Sequence, residues 1–217
     1  MFDTIMELPL FKGIGQEQLS NLLEKTRMEF LKFEDGDSII KSGGKVETLD
    51  FILSGRVRLT YPLENFPIAI DEIIGKGAVL GAFNLFGMVT HYPASATAIG
   101  RVSIMRMEKS QYMNILQTDR IYILNFVNLL SAAAQKAPEL FIHIKDTFIT
   151  KTLKSLAYAI VSRAAETVIV AGSDEDLAAY CGVDADTFSE WKINELSHHR
   201  IISNQRGIFL KSPHLLR

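Results

Sequence analysis

Apolar and polar positions alternate along the first half of the chain and group into helical stripes along the second. Met28 to Phe33 alternates imperfectly, and Arg56 to Tyr61 alternates strictly, as a half-buried strand does. Leu49 to Leu53 is an apolar run, and the pattern predicts that its strand ends at Ser54-Gly55. Further strands are expected at Ile68 to Ile74, Ala94 to Ala98 and Val102 to Met107. Glu34-Asp35-Gly36-Asp37 reads as a turn. Ahead of the strands, Gln16 to Thr26 places Leu19, Leu22 and Leu23 on one helical face. Many short strands joined by turns suggest a sandwich or a barrel.

Glycine usage marks the change of period. Eleven of the 14 glycines lie at or before Gly100, so the second half is expected to be mostly helical. Gln111 to Leu116 predicts a short helix. Asp119 then caps a longer one carrying Ile121, Tyr122, Ile123, Leu124, Phe126, Val127, Leu129 and Leu130. This helix is apolar on nearly every side, which requires burial against two surfaces. One can be the barrel. The other is either a second copy of the same helix in a two-fold dimer or the core of a monomer. Pro138 predicts a kink or break between Lys136 and Leu140, with helix resuming through Phe141 to Lys145 and then Thr150 to Arg163.

Near the C-terminus, Ser173 caps a helix whose first turn carries Asp174, Glu175 and Asp176. Gly182 turns the chain, and Asp184 caps a second helix, Ala185 to Leu196, with Phe188, Trp191 and Leu196 turned inward. Arg200 to Ser203 and Gly207 to Leu210 flank Asn204-Gln205-Arg206 as a hairpin. Helix, glycine turn, helix and hairpin make a winged helix-turn-helix. Taken alone, it is either a DNA reader or a small structural domain.

Composition narrows the classes. The 217 residues carry 23 Lys+Arg and 25 Asp+Glu, a net charge of −2, which is low for a strongly basic nucleic-acid binder. The single cysteine, Cys181, excludes a disulfide framework, a cysteine-rich zinc site and a four-cysteine cluster. No apolar run approaches the roughly 18 residues of a membrane span. Met1 to Ile5 does not open a secretion signal, so a cytoplasmic protein is expected. The histidines are scattered, and no nucleophile elbow or phosphate-cradling Gly-Lys-Ser/Thr loop is present, which argues against an enzyme. Asp35-Gly36-Asp37 lacks the following glutamate of a calcium loop and reads better as a turn. No metal site and no resident cofactor are expected; His91 and His143 would be the haem ligands to consider, against the commoner reading as surface residues.

Leu10-Phe11-Lys12-Gly13, Phe33-Glu-Asp-Gly-Asp-Ser-Ile, Phe51-Ile-Leu-Ser-Gly-Arg-Val, Gly77 to Gly81 and Asp176-Leu-Ala-Ala-Tyr-Cys-Gly-Val follow one another in an order that resembles the CRP/FNR (cyclic-AMP receptor protein-like) family of bacterial transcription regulators. The resemblance covers nearly the whole chain. It implies an α+β fold: a cyclic-nucleotide-binding-like jelly-roll barrel over 1–118, a dimerisation helix over 119–147 and a winged-helix DNA-binding domain over 148–217. The implied partners are double-stranded DNA, a second copy of the chain paired through 119–136, RNA polymerase and a small-molecule effector.

Two departures matter. The family's nucleotide cassette resembles Gly-Glu-Leu-Gly-Leu followed by Arg-Ser/Thr-Ala, with glutamate on the ribose and arginine on the cyclic phosphate. Here Gly81-Ala82-Phe83-Asn84-Leu85-Phe86 and Tyr92-Pro93-Ala94 stand in its place, with Ala82 and Tyr92 at those two positions. An uncompensated buried phosphate is costly, so cyclic nucleotides are expected to bind weakly or not at all. The candidate effector pocket, Gly81, Ala82, Phe83, Tyr92, Ala94 and Asn128, either holds a more apolar ligand or is filled by Phe83, Phe86, Met88 and Tyr92. Asn125, Asn128 and Gln135 form a polar stripe that is either a seam or a solvated edge. The reading helix departs too: Ala185 and Glu190 replace the family's two arginines. From Lys151 to Arg217 eight cations meet eight acids. Thr187, Ser189, Lys192, Arg200 and Arg206 remain as candidate DNA contacts. The expected function is a dimeric regulator with a non-cyclic-nucleotide sensor; the alternative is a protein-interaction adaptor without specific DNA binding.

Overall fold

The computed structural model describes residues 2–135, 146–160 and 166–210. The described chain divides into two compact units. The first comprises Met1–Arg58 and Ile74–Gln135, and the second comprises Leu59–Ile73 and Lys136–Arg217. Residues 59–73, which the sequence placed with the barrel, thus belong to the second unit.

In the first unit, α1 (Phe2–Met6) and α2 (Gln16–Lys25) precede the strands. Strand β1 (Met28–Phe33) pairs antiparallel with β6 (Ser95–Glu108) from Met28↔Met107 to Phe33↔Val102. Strand β2 (Ser38–Ile40) also pairs with β6, and β5 (Val79–Leu80) pairs with β3 (Thr48–Pro62). Two expectations are corrected here. Leu49–Leu53 and Arg56–Tyr61 are one continuous strand, β3, and Ala94–Ala98 and Val102–Met107 are one strand, β6. The chain passes Ser54-Gly55 without turning because Gly55 adopts φ 87 against the backbone of Arg101 and Val102, where a Cβ would collide. Glycine here permits a close backbone approach inside a strand and is not a stop. Helix α3 (Lys109–Leu116) leads to α4 (Arg120–Ala134), capped by the Asp119 carboxylate accepting from the Ile121 amide at 3.0 Å. The core gathers Phe11, Leu19, Phe51, Leu85, Met105, Tyr112 and Phe126.

Helix α4 has two apolar faces of different fate. Tyr122 and Phe126 are buried in the core, with the Phe126 ring edge-on to Phe86 and Tyr112. Ile123, Leu124, Val127 and Leu130 remain exposed. The expected kink at Pro138, the helix through Phe141 to Lys145 and His143 lie outside the described residues.

In the second unit, α5 (Phe148–Ile160) packs with β7 (Thr167–Ala171) and α6 (Asp174–Cys181), α6 packs with α7 (Ala185–Ser197), α7 packs with β8 (Ile201–Asn204), and β8 pairs with β9 (Gly207–Leu210). The sequence pattern did not predict β7. It lies between β9 on one side and β4 (Ala69–Ile74) on the other, the latter in register from Ala69↔Ala171 to Ile73↔Thr167. The three-stranded wing sheet therefore gains a fourth strand from far upstream. Ile70, Leu153, Val170, Leu177, Phe188, Trp191 and Ile208 form the core. Leu196 is exposed and not inward; the buried residue on that turn is Glu195. Trp191 donates its indole N–H to the Thr150 hydroxyl at 3.0 Å, satisfying its one polar atom.

Candidate functional site

Both helix caps of the helix-turn-helix form as the sequence requires. Ser173 Oγ accepts from the Asp176 amide at 3.1 Å, and Asp184 Oδ1 accepts from the Thr187 amide at 2.8 Å. The Thr187 amide, followed by its hydroxyl, holds the Asp184 carboxyl below its ordinary pKa. The turn between the helices is made by Gly182 in the left-handed region, φ 68.

The five candidate DNA contacts do not form one free basic surface. The Thr187 hydroxyl donates to Asp184 Oδ2 at 2.8 Å. Lys192 Nζ binds both oxygens of Asp174 at 2.7 and 2.8 Å. Arg200 makes a two-pronged pair with buried Glu195, at 2.7 and 2.8 Å. Arg206, in the wing turn, donates Nε to Asp71 on β4. Ser189 is exposed on α7. Each of the three cations thus faces a carboxylate of its own chain. The outward face of α7 shows Asp186, Ser189, Glu190 and Ile193, all exposed.

The Arg206 contact is the deepest of these. Asp71 and Glu72 are fully buried. Thr60 donates its hydroxyl to Asp71 Oδ1 at 2.7 Å, and Arg206 Nη2 reaches the same hydroxyl oxygen at 3.5 Å. Beside them the Tyr61 hydroxyl donates to Glu72 at 3.1 Å. Phe66, at the tip of the β3–β4 hairpin, stacks edge-on against Tyr180 of α6 at 5.0 Å. Arg206 was legible as a wing cation. Asp71, 135 positions away, had no sequence signal tying it to the wing.

The sensor cassette lies in the first unit. Gly81 opens a short 3-10 turn, Ala82–Asn84, and Ala82 and Ala94 are buried. Tyr92, at the family's arginine position, is tied by backbone bonds to Gly43 and Gly44 at 2.8 Å each and directs its hydroxyl to the Thr48 carbonyl at 3.4 Å. Burial raises its phenol pKa. The idea that bulky side chains fill the pocket holds only in part. Tyr92 and Phe86 pack on the core, but Phe83 is 47% exposed and Met88 is fully exposed. Asn128 is exposed on α4, whereas Asn125 donates to the Leu10 and Lys12 carbonyls at 3.4 and 2.8 Å. That ties α4 to the segment before α2 and makes Asn125 structural. His91 is exposed and pairs only through its backbone with Lys45. Among the described residues no group of three or more His, Cys, Asp or Glu is placed to hold a metal, and no helix is long and apolar enough to cross a membrane.

Known proteins place this arrangement. Residues 30–119 match the cyclic nucleotide-binding domain family. Among solved structures, the Thermus thermophilus catabolite activator protein is similar over 96% of this chain and 96% of its own, at 17% identity and TM-score 0.51. The c-di-GMP responsive global regulator CLP of Xanthomonas campestris covers 90% of this chain and 99% of its own, at 15% identity and TM-score 0.50. A cAMP-binding acyltransferase from Mycobacterium smegmatis is matched over 62% of this chain, at 22% identity and TM-score 0.49; this chain spans only 40% of its length. No curated protein sequence matches the chain. Over nearly its full length the chain has the α+β fold of the CRP/FNR transcription regulators.

Proposed function

We propose that the chain is a cytoplasmic, dimeric transcription regulator. It pairs through α4, presents two winged helices to double-stranded DNA, and senses a signal other than a cyclic nucleotide. The observation that carries the reading is the exposed stripe Ile123, Leu124, Val127 and Leu130, on a helix whose opposite face is already buried. An apolar surface of this kind on a short helix calls for a partner, and a two-fold copy supplies an identical stripe. Thr187, Ser189, Lys192, Arg200 and Arg206 supply the DNA contacts, Lys192 and the two arginines by exchanging in-chain carboxylates for phosphates.

Sedimentation joined to mobility-shift titration tests this. The wild-type chain is expected to sediment as a dimer at micromolar concentration and to bind duplex DNA with strong salt dependence. Leu124→Glu with Val127→Glu is expected to give monomers and lose DNA binding. A folded monomeric wild type would refute the reading. Calorimetry with cAMP and cGMP is expected to show no binding, since Ala82 and Tyr92 offer neither the ribose acceptor nor the phosphate cation.

A second reading, an adaptor that binds protein instead of DNA, is favoured by the α7 face of Asp186, Glu190 and 65%-exposed Ile193. Two carboxylates around an apolar residue repel phosphate and suit a basic protein surface. Failure to bind any duplex at low salt would favour it.

A further inference from the structure

We propose that the β3–β4 hairpin is an intrachain latch on the wing, in which Asp71 holds Arg206 away from DNA. This deepens the DNA-binding reading above and rests on it. Three observations meet at one place. First, β4 adds to the wing sheet through β7 over five residue pairs, so the hairpin is a built part of the second unit. Second, Asp71 is fully buried, takes Arg206 Nε, and is held by the Thr60 hydroxyl at 2.7 Å. Third, the hairpin tip presses Phe66 onto Tyr180 of α6, the first helix of the helix-turn-helix, at 5.0 Å.

The chemistry sets the consequence. A guanidinium whose Nε is committed to a buried carboxylate cannot offer its Nε–Nη2 edge to a phosphate at the same time, and the ion pair offsets the charge a phosphate would attract. The wing backbone reinforces the geometry: Gly207, φ 153, packs so close to the Val170 carbonyl that a Cβ would overlap it, which fixes the turn that presents Arg206. An open groove of about 620 Å³ borders the contact, lined by Phe66, Pro67, Ile68, Gln205 and Arg206 among others, so solvent reaches the arginine. Arg206 keeps 42% of its side chain exposed, while Asp71 keeps none. Release therefore moves the arginine outward and leaves Asp71 in place beside Thr60.

The test uses the full-length protein and a mixed-sequence duplex at about 50 mM salt. Asp71→Asn is expected to raise affinity about tenfold and to steepen the salt dependence by close to two for a dimer, one for each wing arginine freed. Thr60→Val, which removes the second donor and leaves Asp71 more dependent on Arg206, is expected to tighten the latch and lower affinity below the wild type. Asp71→Asn combined with Arg206→Ala is expected to lose the gain. Glu64→Gln, which removes a carboxylate from the same hairpin away from the arginine, is expected to show none. The latch is overturned if Asp71→Asn binds like a DNA-binding wild type, if the gain survives Arg206→Ala, or if Glu64→Gln gives as much. If no variant binds duplex even at low salt, the DNA-binding reading itself falls and takes the latch with it, an outcome distinct from a wild type that binds without inhibition.

Discussion

Each unit contains one fully buried aspartate bound to an arginine, and the two pairs are built differently. In the first, Arg106 on β6 meets Asp50 on neighbouring β3 with two bonds, at 2.6 and 2.7 Å. In the second, Asp71 shares itself between Arg206 and Thr60. Arg106 is 26% exposed and Arg206 42%. A pair joining adjacent strands by two parallel bonds is closed, and losing one member strands the other. A pair in which the carboxylate keeps a second donor, and the cation is nearly half in water, can open. The same two residue types thus make a fastening in one unit and a contact able to exchange in the other.

Urea denaturation sharpens the contrast most. Arg106→Ala leaves Asp50 buried without its cation and is expected to cost about 3–5 kcal/mol. Arg206→Ala removes a cation that is 42% exposed and is expected to cost less. Equal losses would erase the distinction. Next in size is Thr150→Val. It removes the acceptor of the Trp191 indole and should cost about 1–2 kcal/mol. Since Trp191 is the only tryptophan, its fluorescence follows the second unit, and circular dichroism follows both; this loss should appear in the fluorescence transition. Cap deletions come third. Asp119→Ala in the first unit should cost about 1 kcal/mol, and Asp184→Ala in the second should lower stability, with only the latter moving the tryptophan signal.

The smallest effect is alkaline. Burial raises the Cys181 thiol from 9.0 to about 11, so the folded second unit favours the neutral form. The unfolded chain loses its proton first. Stability from this group is complete below pH 9 and declines as pH rises toward 11. Cys181→Ala should flatten that part of the tryptophan-detected stability profile. A slow reaction of the native thiol with a maleimide at pH 8, sped by urea, checks the same burial.

What the sequence made legible was local. Ser173, Gly182 and Asp184 act on neighbours within a few positions, and their roles follow from residue type. The apolar surplus of α4 was legible too, because period alone exposes it. Gly55 misled because a glycine under a facing backbone and a glycine in a turn look alike until the facing strand is known. Strand β7 carried a β-branched run, Val168-Ile169-Val170, that could have identified it. Leu196 is exposed where it was expected inward, and Glu195 is buried on that turn because Arg200 supplies its charge partner. The candidate DNA contacts were legible as residues but not as a surface, since Asp71, Asp174 and Glu195 meet them only after folding.

The mixed ancestry of the wing sheet constrains how this protein can be rebuilt. A chimera made by a single crossover after the barrel would graft a foreign winged module onto a hairpin that no longer fits it. A fragment beginning at 148 would leave β7 with a bare hydrogen-bonding edge, an invitation to stick to other chains. Any transplant that keeps the module soluble must carry residues 59–73 along with it.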